Sequence, residues 1–302
     1  MKPDVYDPDA LDRDPRPPLS DYGRRLLAEG DSWFTISTAK LFDSANLLLY
    51  LEFTKTTAIV SCAYPGDTLQ HMVDGVNDPD LDKLLRRPRH QRYWEAIVVS
   101  AGGNDLIDAA AVRPTQPDGS VTPRELRLLL TPAEAGARAG AADFVSEPGF
   151  ELLSRYLLAN FGELVRRRDD GISKGRPLFA HTYATPTARP AGTLGTRDGW
   201  LYPSFVAWGI PEPMWQPVTE LLFGRLRRLL LSLDSGSGHA NALPQVHVFD
   251  SAALPDLVAA QPGTRGPSGD WVNEIHLTKE GCEKVGRAFG PMIESVLARY
   301  PG

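Results

Sequence analysis

A serine stands directly after Gly-Asp in "AEGDSWF" (residues 28–34), and a histidine closes "SGDWVNEIH" (268–276) near the other end of the chain. Those side chains make a nucleophile and its base. A serine hydroxyl attacks poorly until its proton is taken, and histidine is the side chain whose ordinary pKa suits that task near neutral pH. Acyl transfer through Ser32 and His276 would also need fixed N–H donors for the tetrahedral oxyanion; removing one typically costs ~10²–10³ in turnover. A turn glycine, Gly66 in "YPGDT", and an amide side chain, Asn104 in "GGND", are of the right types. The second ring nitrogen of His276 needs an acceptor. Asp270 lies six residues back, and a turn through "DWVN" could bring its carboxylate to the ring; it is expected to supply the charge. Asn273 is expected to shape the loop or orient the ring, and Glu274 to point away.

Each segment also has a plainer reading. Gly-Asp-Ser and Gly-Gly-Asn-Asp are common turn compositions, and a histidine ahead of a helix is often a surface residue. Their joint order along the chain favours the catalytic reading. The remaining histidines lack such support: His71, His90 and His239 are expected to be exposed, His247 to lie inside a strand, and His181 to sit near the rim by position alone.

Five apolar runs could carry these residues as strands: "RRLLAEG" (24–30), "TTAIVSCAYPG" (56–66), "EAIVVSAGGND" (95–105), "RPLFAHTYA" (176–184) and "QVHVFDSA" (245–252). The third is continuous rather than alternating, as expected when helices cover both faces of a parallel sheet. Helical segments separate them: "SANLLLYLEF" (44–53) with Asp43 or Ser44 as cap, "DTLQHMVDGV" (67–76), "DPDLDKLLRR" (78–87) with Asp78 as cap and Pro79 next, and a closing helix from Thr278. Strands alternating with helices predict a doubly wound α/β fold, in which ligands bind beyond the carboxyl ends of the strands. Ser32, Gly66, Asn104, His181 and Tyr183 all fall at such ends. Residues 1–22 are rich in Pro and Asp and read as an extended surface arm, leaving 23–302 as one domain.

With these blocks assembled, the chain resembles the GDSL-type, or SGNH, serine hydrolases. The family's serine, glycine, asparagine and histidine blocks are matched in order by Ser32, Gly66, Asn104 and His276. The resemblance implies a three-layer α/β/α sandwich around a five-stranded parallel sheet of the flavodoxin-like type. It implies Ser32 as nucleophile, His276 as base, and an oxyanion hole from the backbone N–H groups of Ser32 and Gly66 with the Asn104 amide. Two positions depart from the family pattern. Trp33 replaces the leucine of the first block, and Asn273 stands where the last block carries aspartate. Relative to compact members, extra material falls near 106–175 and 186–244. The second insertion holds Trp200, Tyr202, Phe205, Trp208, Met214 and Trp215. These aromatics either pack a long loop or wall an acyl or sugar pocket; Trp33, Trp200 and Trp208 are the pocket candidates.

The resemblance implies a serine esterase acting on a small-molecule acyl ester, such as a lipid or an acylated sugar, with no cofactor and no metal. Alternatives are an acyltransferase on the same site, a metal-dependent phosphoesterase using Asp31, Asp67, Asn104 and His276, and an inactive binding protein of the same fold. No GxSxG, HExxH, P-loop or GxGxxG pattern occurs. A net charge of −6, with no basic run beyond Arg166–Arg168, argues against nucleic acid as partner. Two distant cysteines, Cys62 and Cys282, exclude a disulfide scaffold, and no segment approaches the roughly 20 apolar residues of a membrane span. A soluble, cytoplasmic protein is the default expectation.

Overall fold

A computed structural model describes residues 1–35, 46–137, 140–193 and 198–300. Its centre is a parallel sheet of six strands: β1 (Asp4–Tyr6), β2 (Arg24–Gly30), β3 (Thr57–Ser61), β4 (Ala96–Ser100), β5 (Leu178–His181) and β6 (Val246–Phe249). Their spatial order is β1-β3-β2-β4-β5-β6. Every residue of β4 and β5 is buried, which requires cover on both faces of the sheet. The helices are α1 (Leu69–Met72), α2 (Pro79–Arg86), α3 (Gly103–Ala111), α4 (Pro132–Ala135), α5 (Glu147–Asp169), α6 (Leu201–Trp208), α7 (Glu212–Ser232) and α8 (Lys279–Leu297).

The five expected strands are all present, and β1 corrects the count to six. Only three residues long and preceded by Pro3, β1 has no apolar run to announce it; it pairs with β3 at the sheet edge, Val5 opposite Ile59. Of the expected helix over 44–53, the described residues 46–53 do not form a regular helix. Asn46 Oδ1 accepts the Leu48 N–H at 2.9 Å and starts a short 3₁₀ turn over Leu47–Tyr50, after which the chain extends. Residues 44 and 45, with the expected caps Asp43 and Ser44, lie outside the described residues. Tertiary packing explains the extension, because α8 presses glycines against it: a Cβ at Gly286 would lie 2.1 Å from Tyr50 O, and one at Gly290 2.2 Å from Glu52 O.

The chain leaves β2 for β3 on one side and returns to β4 on the other. Brackets of this kind create a crevice at the carboxyl ends of the two strands that part company, here β2 and β4. Ser32 follows the first and Asn104 the second. The Asp31 N–H donates to Ser100 O at 3.1 Å, tying the two strand ends together, and the Tyr64 N–H donates to Gly30 O at 2.9 Å, drawing in the chain after β3.

Candidate active site

Immediately beyond β2, Asp31 caps a 3₁₀ turn over Ser32–Phe34 by accepting the Trp33 N–H at 3.0 Å. Its other contacts run backward into the core, where it accepts hydrogen bonds from Tyr183 OH at 2.5 Å and Ser100 Oγ at 2.8 Å. Burial raises Asp31 to about 6 against the opposing pull of those donors. The turn is thereby fixed with Ser32 Oγ facing the rim, 6% exposed.

His276 reaches the same point from the far end of the sequence. The loop before α8 closes on itself, Val272 N–H to His276 O at 2.9 Å and Thr278 N–H to Asp270 O at 2.8 Å, and His276 Nε2 lies 2.8 Å from Ser32 Oγ. On the other side of the ring, Nδ1 lies 3.0 Å from Asn273 Oδ1. That oxygen also accepts the backbone N–H groups of Ile275 at 3.1 Å and His276 at 2.9 Å. Backbone N–H groups can only donate, so the atom facing the ring is the amide oxygen and Nδ1 must carry the proton. Nε2 is left as the acceptor for the serine hydroxyl. Burial, with no charged partner to offset it, pushes His276 down to about 4.

Asp270 is not the ring's partner, contrary to the sequence expectation. Its Oδ2 accepts from Lys284 Nζ at 2.7 Å and from the Val258 N–H at 2.6 Å, so the carboxylate braces α8 and the 258 segment instead. Glu274 points away as expected and has a task of its own. Its carboxylate accepts the N–H groups of Arg189 at 3.1 Å, Leu201 at 2.9 Å and Tyr202 at 2.8 Å, together with that of Trp200. Trp200 is held by this clamp edge-on to the His276 ring, centroids 5.2 Å apart.

Beyond β4, Gly102 adopts φ +103°, a conformation that favours glycine, and opens α3. Asn104 stands in the first turn; one hydrogen of its Nδ2 goes to Asp67 O at 2.9 Å and the other is available to a ligand. Gly66, φ +88°, is exposed on the adjoining turn, with nothing within 4 Å of where a Cβ would sit.

Ser32 and Asn104 share a narrow apolar recess, which together with its mouth encloses about 300 Å³ and is walled by Trp33, Ile107, Tyr183, Phe223, Trp271 and Ile275. Trp33 lines this recess. Trp208 does not: it is buried away from the recess, donating Nε1–H to Val112 O at 3.0 Å beneath the Arg127 guanidinium. Sequence reasoning did not single out Phe223 or Ile107, which sit in helices with no chemical signature. His181 lies beneath the rim, its Nδ1 2.7 Å from Thr182 O and its Nε2 3.0 Å from Ser100 Oγ; burial pushes it down to about 4. His71 is half-exposed, whereas His90 and His239 are exposed.

No family model matches the chain, and no curated protein matches it in sequence. Among solved structures it is similar to an extracellular lipase from Streptomyces rimosus, with 13% identity, TM-score 0.46, and 90% of this chain and 99% of that chain covered. A phospholipase A1 from Streptomyces albidoflavus is 10% identical with TM-score 0.41, over 90% and 98% of the two chains. A carbohydrate acetylesterase from Sinorhizobium meliloti is 13% identical with TM-score 0.41, over 90% and 99%. The chemistry of the site rests on its own residues. Among the described residues no helix is long and apolar enough to cross a membrane.

Proposed function

We propose that this chain is a serine esterase of the SGNH type, hydrolysing an O-acyl ester of a small molecule through an acyl-enzyme on Ser32. His276 Nε2 takes the Oγ proton as Oγ adds to the ester carbonyl carbon. The oxyanion that develops is met by the backbone N–H groups of Ser32 and Gly66 and by the free Nδ2 hydrogen of Asn104. Collapse expels the alcohol, whose oxygen takes the proton from His276. Water then repeats the cycle on the acyl-enzyme, with His276 again as base, and releases the acid. Asn273 serves as the ring's acceptor in this scheme: it fixes the tautomer without lending the imidazolium a negative charge.

One observation carries the reading, the 2.8 Å contact between Ser32 Oγ and a His276 Nε2 that Asn273 leaves unprotonated. A fluorophosphonate probe followed by peptide mass spectrometry tests it. The adduct is expected on Ser32, and Ser32→Ala is expected to lose both labelling and ester turnover. Labelling that survives the substitution would move the nucleophile elsewhere.

A further inference from the structure

Next to the oxyanion turn lies a second group of ionisable side chains that the hydrolytic steps do not use. Asp67 follows Gly66, His71 is four residues on in α1, and Asp78 holds the N-cap position of α2 without making a capping hydrogen bond. One ligand atom from each lies within 4.8 Å of the other two. Asp67 and Asp78 are 5% and 9% exposed, yet Oδ2 of each has no hydrogen-bond partner. His71 Nδ1 lies 2.8 Å from Asp67 Oδ1, an ion pair when the imidazole is protonated. Glu29, wholly buried in β2, adds a third carboxylate with an unpartnered Oε2, and the charges of Asp78 and Asp67 both act on it.

Among the described residues no lysine or arginine forms an ion pair with Asp67, Asp78 or Glu29. Buried carboxylates are costly to fold unless hydrogen bonds and counter-charge satisfy them; His71 pairs with Asp67 at 2.8 Å, yet one oxygen each of Asp67, Asp78 and Glu29 is left over, which gives an ion, a water or a proton a place there. Two carboxylate oxygens and an imidazole nitrogen form a donor set suited to a borderline transition metal rather than to calcium or magnesium, which take oxygen ligands. Bonds of about 2.0–2.2 Å would require the three side chains to readjust around the ion.

We propose that Asp67, His71 and Asp78 bind one divalent transition-metal ion of the zinc type, with solvent completing its coordination. Its effect on the reaction is positional. Asp67 O holds the Asn104 amide, and Asp67 adjoins Gly66, so fixing the Asp67 carboxylate steadies two of the proposed oxyanion donors. His71 and Asp78 are positioning residues that touch no reacting atom in the proposed steps.

Binding is read without reference to turnover, so the test stands apart from the esterase reading. Full-length, tag-free protein dialysed against EDTA is titrated with zinc chloride by calorimetry and melted with and without zinc, alongside Asp78→Asn and His71→Gln. One zinc per chain is expected, with the melting temperature raised by about 4 °C at a hundredfold excess over Kd. Each substitution is expected to weaken binding at least about tenfold while the far-ultraviolet spectrum is unchanged. Should one variant fail to fold, the other and the wild-type stoichiometry decide. The absence of saturable binding to the wild type overturns the proposal, as does binding that both variants retain in full. An Asp78→Asn protein more stable than a zinc-indifferent wild type would also overturn it, showing that the carboxylates merely repel or hold protons.

Discussion

At the scale of single residues, the consequential substitution is the amide beside His276. A carboxylate there would stabilise the imidazolium and raise its pKa; Asn273 does neither, and burial alone drives the ring down to about 4. The neutral ring is the form that accepts a proton, so a depressed pKa keeps the base competent further into acid. The acid limb of kcat/KM is therefore expected well below the ordinary histidine pKa of about 6.5, near pH 4. Asn273→Asp should move that limb upward, and a limb found near 6.5 in the wild type would contradict the assignment. Asn273→Ala, which leaves Nδ1–H without its acceptor, should lower kcat/KM by about 10²-fold or more, while Asp270→Asn should leave it nearly unchanged. Asn104→Ala is expected to lower kcat by roughly 10² with little change in KM, the signature of an interaction made in the transition state. The residue types at the rim were legible in the sequence because their chemistry is scarce. The choice between Asp270 and Asn273 was not, since it turns on Lys284, a lysine fourteen residues away that claims the Asp270 carboxylate once α8 has formed.

Elements decide how firmly those residues are presented. The loop that carries His276 is pinned from outside by Glu274, whose carboxylate gathers four backbone N–H groups from 189 and 200–202. Glu274→Gln places an NH₂ group against donors, leaving at least two of them without an acceptor at roughly 1–3 kcal/mol each. The variant should lose stability by that order in urea denaturation, and its kcat/KM should fall as Trp200 loses its hold beside the ring. A stability change within the scatter of the measurement would show that the clamp contributes nothing. Nothing in the local sequence announces this clamp, because its donors come from a separate stretch of chain. The strands were readable for the opposite reason: "AIVV" in β4 is a continuous apolar run that only a doubly covered sheet can bury, and "LLA" in β2 is a shorter one. "LLLYLEF" carries a similar apolar density but is drawn into a turn and an extended piece by α8, where Gly286 and Gly290 admit the backbone of Tyr50 and Glu52. Gly286→Ala, with its new Cβ 2.1 Å from Tyr50 O, should destabilise the fold by about 1–3 kcal/mol.

For the whole molecule, the strand order sets where the chemistry can happen, and the long helices set how much substrate can reach it. The rim between β2 and β4 is open by topology, yet the recess beside Ser32 is narrow because side chains from α3, α7 and the loop before α8 converge on it. Phe223, on α7, and Ile107, on α3, line the same space as Trp271 and Tyr183, about 300 Å³ with the mouth included. An acyl chain that fits gains about 0.8 kcal/mol for each methylene taken out of water, whereas one methylene too many meets a wall of buried aromatics that can yield only by repacking. Over a series of p-nitrophenyl esters, kcat/KM is therefore expected to be highest for acetate to butyrate and to fall at least about tenfold between butyrate and octanoate, the discrimination a single mismatched methylene can supply. Shortening the wall by Phe223→Val, which keeps an apolar residue in α7, should move the optimum to longer chains and leave Ser32 labelling intact. An octanoate ester turned over as fast as butyrate by the wild type would mean that the acyl group lies along the outer rim, with Trp200 rather than Phe223 beside it.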